Sequence, residues 1–326
     1  MIMNEHGFCK MDSFEFQYGR VLNDVEVEYA TYGTPIYDDE GYIVNAVLFF
    51  STFKGTYSFL SNSQEYINSN SDLLSKLYCI DIRSLGTPGS CSPSTTGLNY
   101  DFPNYTCLDA VNFKRQFIAE KFKIKKIKGL IGEGIGGFQV LTWACEYPDE
   151  MDCIFLVNTA AKTSGYRFIL GKTFEHIIDS VEDLYSDEYS ISKNKALIAI
   201  NSLLFAHSAS KKAFSKLDNN QIHAIFDDFL DEGLFVDIYD FKFRNECDLQ
   251  FDVIDKLHKI KAKSLFVATN KNYFDYDLDL MPFKDCVKDS VTLIQDQGLE
   301  SYFFENEDYS YLGDEVISFF EQLLKE

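Results

Sequence analysis

Residues 14–22 and 25–33 alternate apolar and polar side chains with a period of two, which predicts antiparallel strands with one face in solvent. Ala46–Phe50 is apolar throughout and predicts a central strand covered on both faces. Residues 77–82 and 152–157 come close to that pattern, and 124–131 predict a further strand that runs into a glycine turn. Between these segments, residues 109–122 and 136–147 carry apolar side chains at helical spacing, and a polar stretch over 55–70 leads to another helix. Residues 85–103, rich in Gly, Pro, Ser and Thr, read as a long ordered loop or a set of turns. Strands alternating with helices predict a mostly parallel sheet with helices on both faces.

From about residue 160 the pattern becomes helical without strands, with segments at 167–180, 192–205, 211–217 and 221–230. The sheet signal resumes at 264–269 and 301–304, and an amphipathic helix over 314–324 ends the chain. The organisation expected is therefore an α/β core in two parts, residues 1–160 and 251–326, split by a helical lid over 161–250.

Composition narrows the function classes. A net charge of −21 repels phosphate backbones and anionic headgroups, which argues against nucleic acid and membrane surfaces as partners. No stretch reaches the roughly 18 apolar residues of a membrane span, and no basic flank precedes an apolar run at the amino terminus, so a cytoplasmic protein is expected. The eight cysteines form no C-x-x-C pair and have no histidine at zinc spacing; they are expected to be reduced and mostly buried, with no metal site among them.

The candidate chemistry centres on the run Leu130-Ile131-Gly132-Glu133-Gly134-Ile135-Gly136-Gly137-Phe138-Gln139. It has the frame of a G-x-S-x-G nucleophile elbow, a strained strand-to-helix turn whose flanking glycines leave room for neighbouring backbone, with Gly134 where the serine would stand. The same glycines also fit a dinucleotide fingerprint. Against that, the strand is about the fifth of the chain, and the next one ends at Asn158 without the acidic residue that would hold a ribose.

Other candidates carry blander readings. Asp275, Asp277 and Asp279 resemble the start of a calcium loop, but Leu280 and Cys286 occupy the glycine and glutamate positions, so a solvated acidic turn is expected. Cys91 and Cys145 have no base nearby in sequence and read as packing residues. His176, His207 and His223 fall on lid helices and read as surface or packing groups. Glu133, beside the elbow, reads either as a tolerated substitution or as a carboxylate turned into the pocket to bind a cation or act as a base.

Several segments together resemble the homoserine O-acetyltransferases of the α/β-hydrolase superfamily. They are Phe16-x-Tyr18-Gly19-Arg20-Val21-Leu22, Val27-x-Tyr29-x-Thr31-x-Gly33, Leu85-Gly86 with Ser92-Pro93-Ser94 and Phe102-Pro103, and Gly136-Gly137-Phe138-Gln139 with Trp143-Ala144 and Tyr147-Pro148-Asp149. The resemblance implies an α/β-hydrolase fold with an inserted helical lid. It also implies acyl transfer from acetyl-CoA through a serine, a histidine and a carboxylate, with two backbone amides holding the oxyanion.

Carried over position by position, the serine falls at Gly134, the carboxylate at Asn272 and the histidine at Asp308, with Tyr311-Leu312 as the remnant of its motif. Phe53 and Ile135 take the oxyanion positions, Lys54-Gly55 replaces part of the preceding turn, and His207 aligns near a lid arginine that holds the substrate carboxylate. No histidine follows His258. Loss of a whole triad costs about a millionfold in turnover.

The expectation is a non-catalytic relative that binds a small ligand in the old pocket or a partner through the lid, with no cofactor. The partner would be a second copy or an active paralogue. The alternative is an active acyltransferase or hydrolase with acetyl-CoA as co-substrate and an unfamiliar nucleophile such as Glu133 or Asp308.

Overall fold

The computed structural model describes residues 3–50, 76–186, 190–208, 214–233, 236–269, 279–295, 318–319 and 321–322. Its strands are β1 (Met3–Glu15), β2 (Val21–Tyr32), β3 (Ala46–Phe50), β4 (Tyr78–Ile82), β5 (Ile127–Glu133), β6 (Met151–Val157), β7 (Lys263–Thr269) and β8 (Ser290–Gln295). They form one sheet in the order β1-β2-β4-β3-β5-β6-β7-β8. β2 pairs antiparallel with both β1 and β4, and every pairing from β4 to β8 is parallel. The α/β class and the mostly parallel sheet expected from the sequence are thus present. No helix among the described residues is long and apolar enough to cross a membrane.

The continuous apolar runs became the central strands for the reason the pattern suggested. All five residues of β3 and all five of β4 are buried, as strands covered on both faces are. Helices α1 (Cys107–Lys121) and α2 (Gly136–Glu146) follow β4 and β5 in the chain. Helix α1 starts on a capping box, in which the Thr106 side chain and the Asp109 carboxylate each satisfy the other's backbone amide.

The first strand differs from its expected bounds. Residues 16–20 form a hairpin turn, with Gly19 at φ +81° and the Phe16 amide donating to Arg20 O at 2.9 Å. Alternation persisted through the turn because Phe16 still points inward and is almost fully buried. The expected strand over 301–304 lies outside the described residues, as do 55–70 and most of 314–324; β8 was not expected.

Among the described residues between β6 and β7 stand the helices α3 (Gly165–Asp179), α4 (Ile191–Ser208), α5 (Asn219–Gly233) and α6 (Ile238–Leu249). Phe174, Ile178, Leu197, Ile200, Tyr239 and Phe241 pack in a core of their own. Helix α6 is additional to the expected set and is capped by Asp237, whose carboxylate accepts from the Tyr239 amide at 2.7 Å. It also ties these helices to the sheet domain: the fully buried Asp240 carboxylate accepts from Ser94 N at 2.8 Å and from the Ser94 hydroxyl. Burial pushes the Asp240 carboxyl up to about 6, against the pull of the Ser94 donors. A short helix, α7 (Met281–Cys286), joins β7 to β8.

A candidate site at the glycine elbow

Strand β5 lies between β3 and β6, and its carboxyl end is where an open parallel sheet presents ligands to the helices that follow. Glu133 is the last residue of β5 and Gly136 the first of α2, so two residues make the whole turn. Gly134 sits at φ +53°, the left-handed region that a side-chain-bearing residue occupies only under strain. Its amide donates to Val157 O at 2.9 Å, and its carbonyl accepts from Thr159 Oγ1 at 2.8 Å and Gly137 N at 3.2 Å. Among the described residues, a Cβ at position 134 would meet nothing within 4 Å. The turn therefore points position 134 away from the described packing, as an elbow does for its nucleophile, and the residue there is glycine.

The flanking glycines have a different cause. A Cβ on Gly132 would lie 2.9 Å from Gly137 Cα, Gly137 N and Val140 Cγ2, and one on Gly137 would lie 2.4 Å from Thr159 Oγ1. These glycines let α2 lie directly on the strands beneath it. Their role is packing, and packing requires them whether or not position 134 carries a nucleophile.

Around the turn, the structure brings Glu133, Gly134 and Ile135 together by chain connection. Ile135 occupies the N-cap of α2 in right-handed helical conformation, without a side-chain cap. The register pairs Phe50 with Gly132, so the chain leaves β3 beside the elbow; Phe53, assigned to the oxyanion position, lies outside the described residues, as do Asn272 and Asp308. Glu133 is buried, 6% exposed, and interacts within the protein. Gln139, one turn into α2, accepts a hydrogen bond from the Ser84 hydroxyl at 3.2 Å, linking the elbow helix to the loop after β4.

His207 is held by partners on α3 and α4. Its Nδ1 donates to Leu203 O at 2.6 Å on its own helix, and its Nε2 accepts from the Tyr166 hydroxyl on α3. His223 pairs with Asp227 on an exposed face of α5, and His176 is exposed. Burial pushes the Cys91 and Cys145 thiols up to about 12, so each stays protonated and inert at neutral pH. All eight cysteines are free, and six are buried.

Asp279 departs from the solvated turn expected of it: it is 3% exposed and ion-paired with Arg167 of α3. The partner stands 112 residues away in sequence, so no local pattern could have revealed the pair. Asp275 and Asp277 lie outside the described residues.

A second charged group supports the elbow from below. Lys114 of α1 is 2% exposed and holds its Nζ 4.3 Å from the centroid of the Phe50 ring, which in turn packs edge-on against Trp143 of α2 at 6.1 Å. Burial pushes Lys114 down to about 8 and Asp81 of β4 up to about 6, each partly offset by attraction to the other. This pair was not expected from the sequence, where its one signal is a lysine on the otherwise apolar face of α1.

Two concavities among the described residues lie away from the turn. One, of about 550 Å³, is walled by Tyr18, Arg20, Tyr100, Phe102, Tyr105 and Gln250, and the other, of about 660 Å³, by Cys145, His258, Lys259, Lys261 and Lys288. Neither is lined by the elbow residues.

Comparison with known proteins agrees with this geometry. The family described as alpha/beta hydrolase fold matches residues 57–227. A protein of Methanothermobacter thermautotrophicus named "Probable acyltransferase" is 34% identical over 290 residues, covering 89% of this chain and 90% of its own length. The homoserine O-acetyltransferase of Methanosarcina acetivorans is 27% identical over 176 residues, 49% of this chain and 32% of that protein. Among solved structures, an acetylester hydrolase from Corynebacterium glutamicum superposes with a TM-score of 0.81 at 20% identity, covering 99% of this chain and 96% of that one, a likeness of fold.

Proposed function

The chain belongs to the alpha/beta hydrolase fold family, and from that premise we propose that it is a homoserine O-acetyltransferase-like protein whose elbow site binds a small ligand of the acyl-transfer reaction without forming an acyl-enzyme. The observation that carries the reading is the residue at 134. The turn keeps its left-handed conformation and the space for a side chain, and the residue is glycine. Covalent acyl transfer at such an elbow requires an atom at that point able to attack the thioester carbonyl, expel the CoA thiolate and hold the acyl group as an ester until the acceptor hydroxyl displaces it. Glycine supplies none. The kinship to a probable acyltransferase along nearly the whole chain supports ligands of that reaction class, an acyl-CoA or its hydroxyl acceptor.

A second reading rests on Glu133. Its buried position at the edge of the elbow suits a carboxylate nucleophile, which would attack the acetyl carbonyl, release the CoA thiolate and hold the acetyl group as a mixed anhydride until an acceptor hydroxyl took it.

Calorimetric titration with acetyl-CoA and with homoserine tests the binding reading. Saturable binding of at least one of them is expected. Gly134→Asn should weaken it by about tenfold or more by filling the open space, while folding normally because asparagine tolerates the left-handed region. Absence of saturable binding by both ligands contradicts the reading.

A further inference from the structure

Cys107 is the first residue of α1, and Cys247 and Asp248 lie in the last turn of α6. The two segments are 140 residues apart in the chain, yet the two Sγ atoms lie 3.7 Å from each other. Both sulfurs and a carboxylate oxygen of Asp248 fall within 4.8 Å of one another. The elbow chemistry uses none of these groups. We propose that Cys107, Cys247 and Asp248 form a binding site for a soft divalent cation of the zinc class, joining the end of lid helix α6 to the start of core helix α1.

The spacing suits the ion. Two thiolates on one tetrahedral zinc, at about 2.3 Å each, stand about 3.8 Å apart. The sulfurs are already at that separation, so the cation needs only to enter between them and the carboxylate. Sulfur donors select zinc over magnesium or calcium, the cations that a chain of net charge −21 would otherwise collect on its surface carboxylates.

The charges are balanced in part, since the Asp109 carboxylate also acts on Cys247. Two thiolates and a carboxylate carry three negative charges against two on the ion. The remaining charge faces Arg244, one turn earlier on α6, whose guanidinium interacts with Asp248.

A hollow lies beside the sequence neighbours of the donors. Tyr105, Thr106 and Gln250, which flank the donors in sequence, wall the hollow of about 550 Å³, and Asp248 is partly open to solvent. Three protein donors leave a fourth position for water. The hydroxyl of buried Tyr105, without a hydrogen-bond partner among the described residues, is the polar group that such a water would satisfy. Binding forms two metal–sulfur bonds and one metal–oxygen bond, and the two thiol protons pass to solvent; no oxidation state changes.

Untagged full-length protein, reduced and freed of metal, is titrated with Zn²⁺ and separately with Co²⁺. One equivalent of zinc is expected to bind, and cobalt is expected to give a sulfur-to-metal charge-transfer band. Cys107→Ser and Cys247→Ser should each weaken zinc binding by about 100-fold and diminish the band, whereas Asp248→Asn should weaken binding and keep the band. If the serine variants fail to fold, the cobalt spectrum of the unaltered chain decides alone, because carboxylates on an acidic surface give no sulfur band. Cobalt binding without that band, zinc binding unchanged in the serine variants, or a Cys107–Cys247 disulfide in protein isolated without reductant and holding no zinc would each overturn the proposal.

Discussion

Gly132→Ala is expected to lower the free energy of unfolding by about 3 kcal/mol, the upper range for forcing one extra carbon into a packed core. The new Cβ meets two backbone atoms of Gly137 and the Val140 side chain at 2.9 Å, and backbone cannot rotate out of the way. Helix α2 must lift from β5, and its buried face, which includes Phe138, Leu141 and Trp143, lifts with it. Gly134→Ser, two residues on, should cost only about 1–2 kcal/mol, the penalty of a left-handed residue with a free side chain. Urea unfolding of the two variants measures the contrast, and equal losses would contradict the assignment of packing to position 132 and projection to position 134. The contrast separates the two reasons for glycine within one motif. It also explains how the frame of an elbow stands with glycine at position 134.

Lys114→Ala should remove about 3 kcal/mol at neutral pH. It deletes a stem packed in the core, takes the cation from the Phe50 ring and leaves the Asp81 carboxylate buried without its compensating charge. The double variant Lys114→Met with Asp81→Asn should regain most of the loss, since neither charge is then left alone.

The pH dependence of the unaltered protein follows from the two shifts. Burial raises Asp81 to about 6 from an ordinary 3.8, so the folded state holds its proton longer than the unfolded chain, and stability falls as pH rises through that window. Burial lowers Lys114 to about 8 from 10.5, so between those values the unfolded chain binds more protons, and stability rises with pH. The pair's contribution is therefore lowest between about 6 and 8, where both groups are charged. Unfolding free energies from pH 4 to 10, compared with those of the double variant, should show a difference with its minimum in that interval. A difference curve without that minimum contradicts the shifts.

Much of the fold was legible because its signal is local. Five consecutive apolar residues, as in β3 or at 153–157 of β6, have few uses other than a strand covered on both faces, and the helices between them followed by period. Boundaries failed where tertiary packing overrode the pattern, as at Phe16, which turns inward within the hairpin loop and so reads as strand. Helix α6 escaped because it buries Asp240, Arg244 and Asn245 beside its aromatics, erasing the apolar stripe that would announce it.

The site was legible in the same uneven way. The glycine elbow is contiguous, so its frame and its missing side chain could both be read directly. The Arg167–Asp279 ion pair and the meeting of Cys107 with Cys247 join residues more than a hundred positions apart, and no spacing rule reaches that far.

The measurement closest to the central claim is acetyl-CoA turnover by concentrated protein, with and without homoserine, followed by intact-mass analysis of the protein. The expected result is release of CoA at the background rate and an unmodified mass, because residue 134 offers no atom to carry an acetyl group. Homoserine-dependent CoA release, or an acetyl adduct mapping to one residue such as Glu133, would contradict the claim and identify the chain as a working acyltransferase.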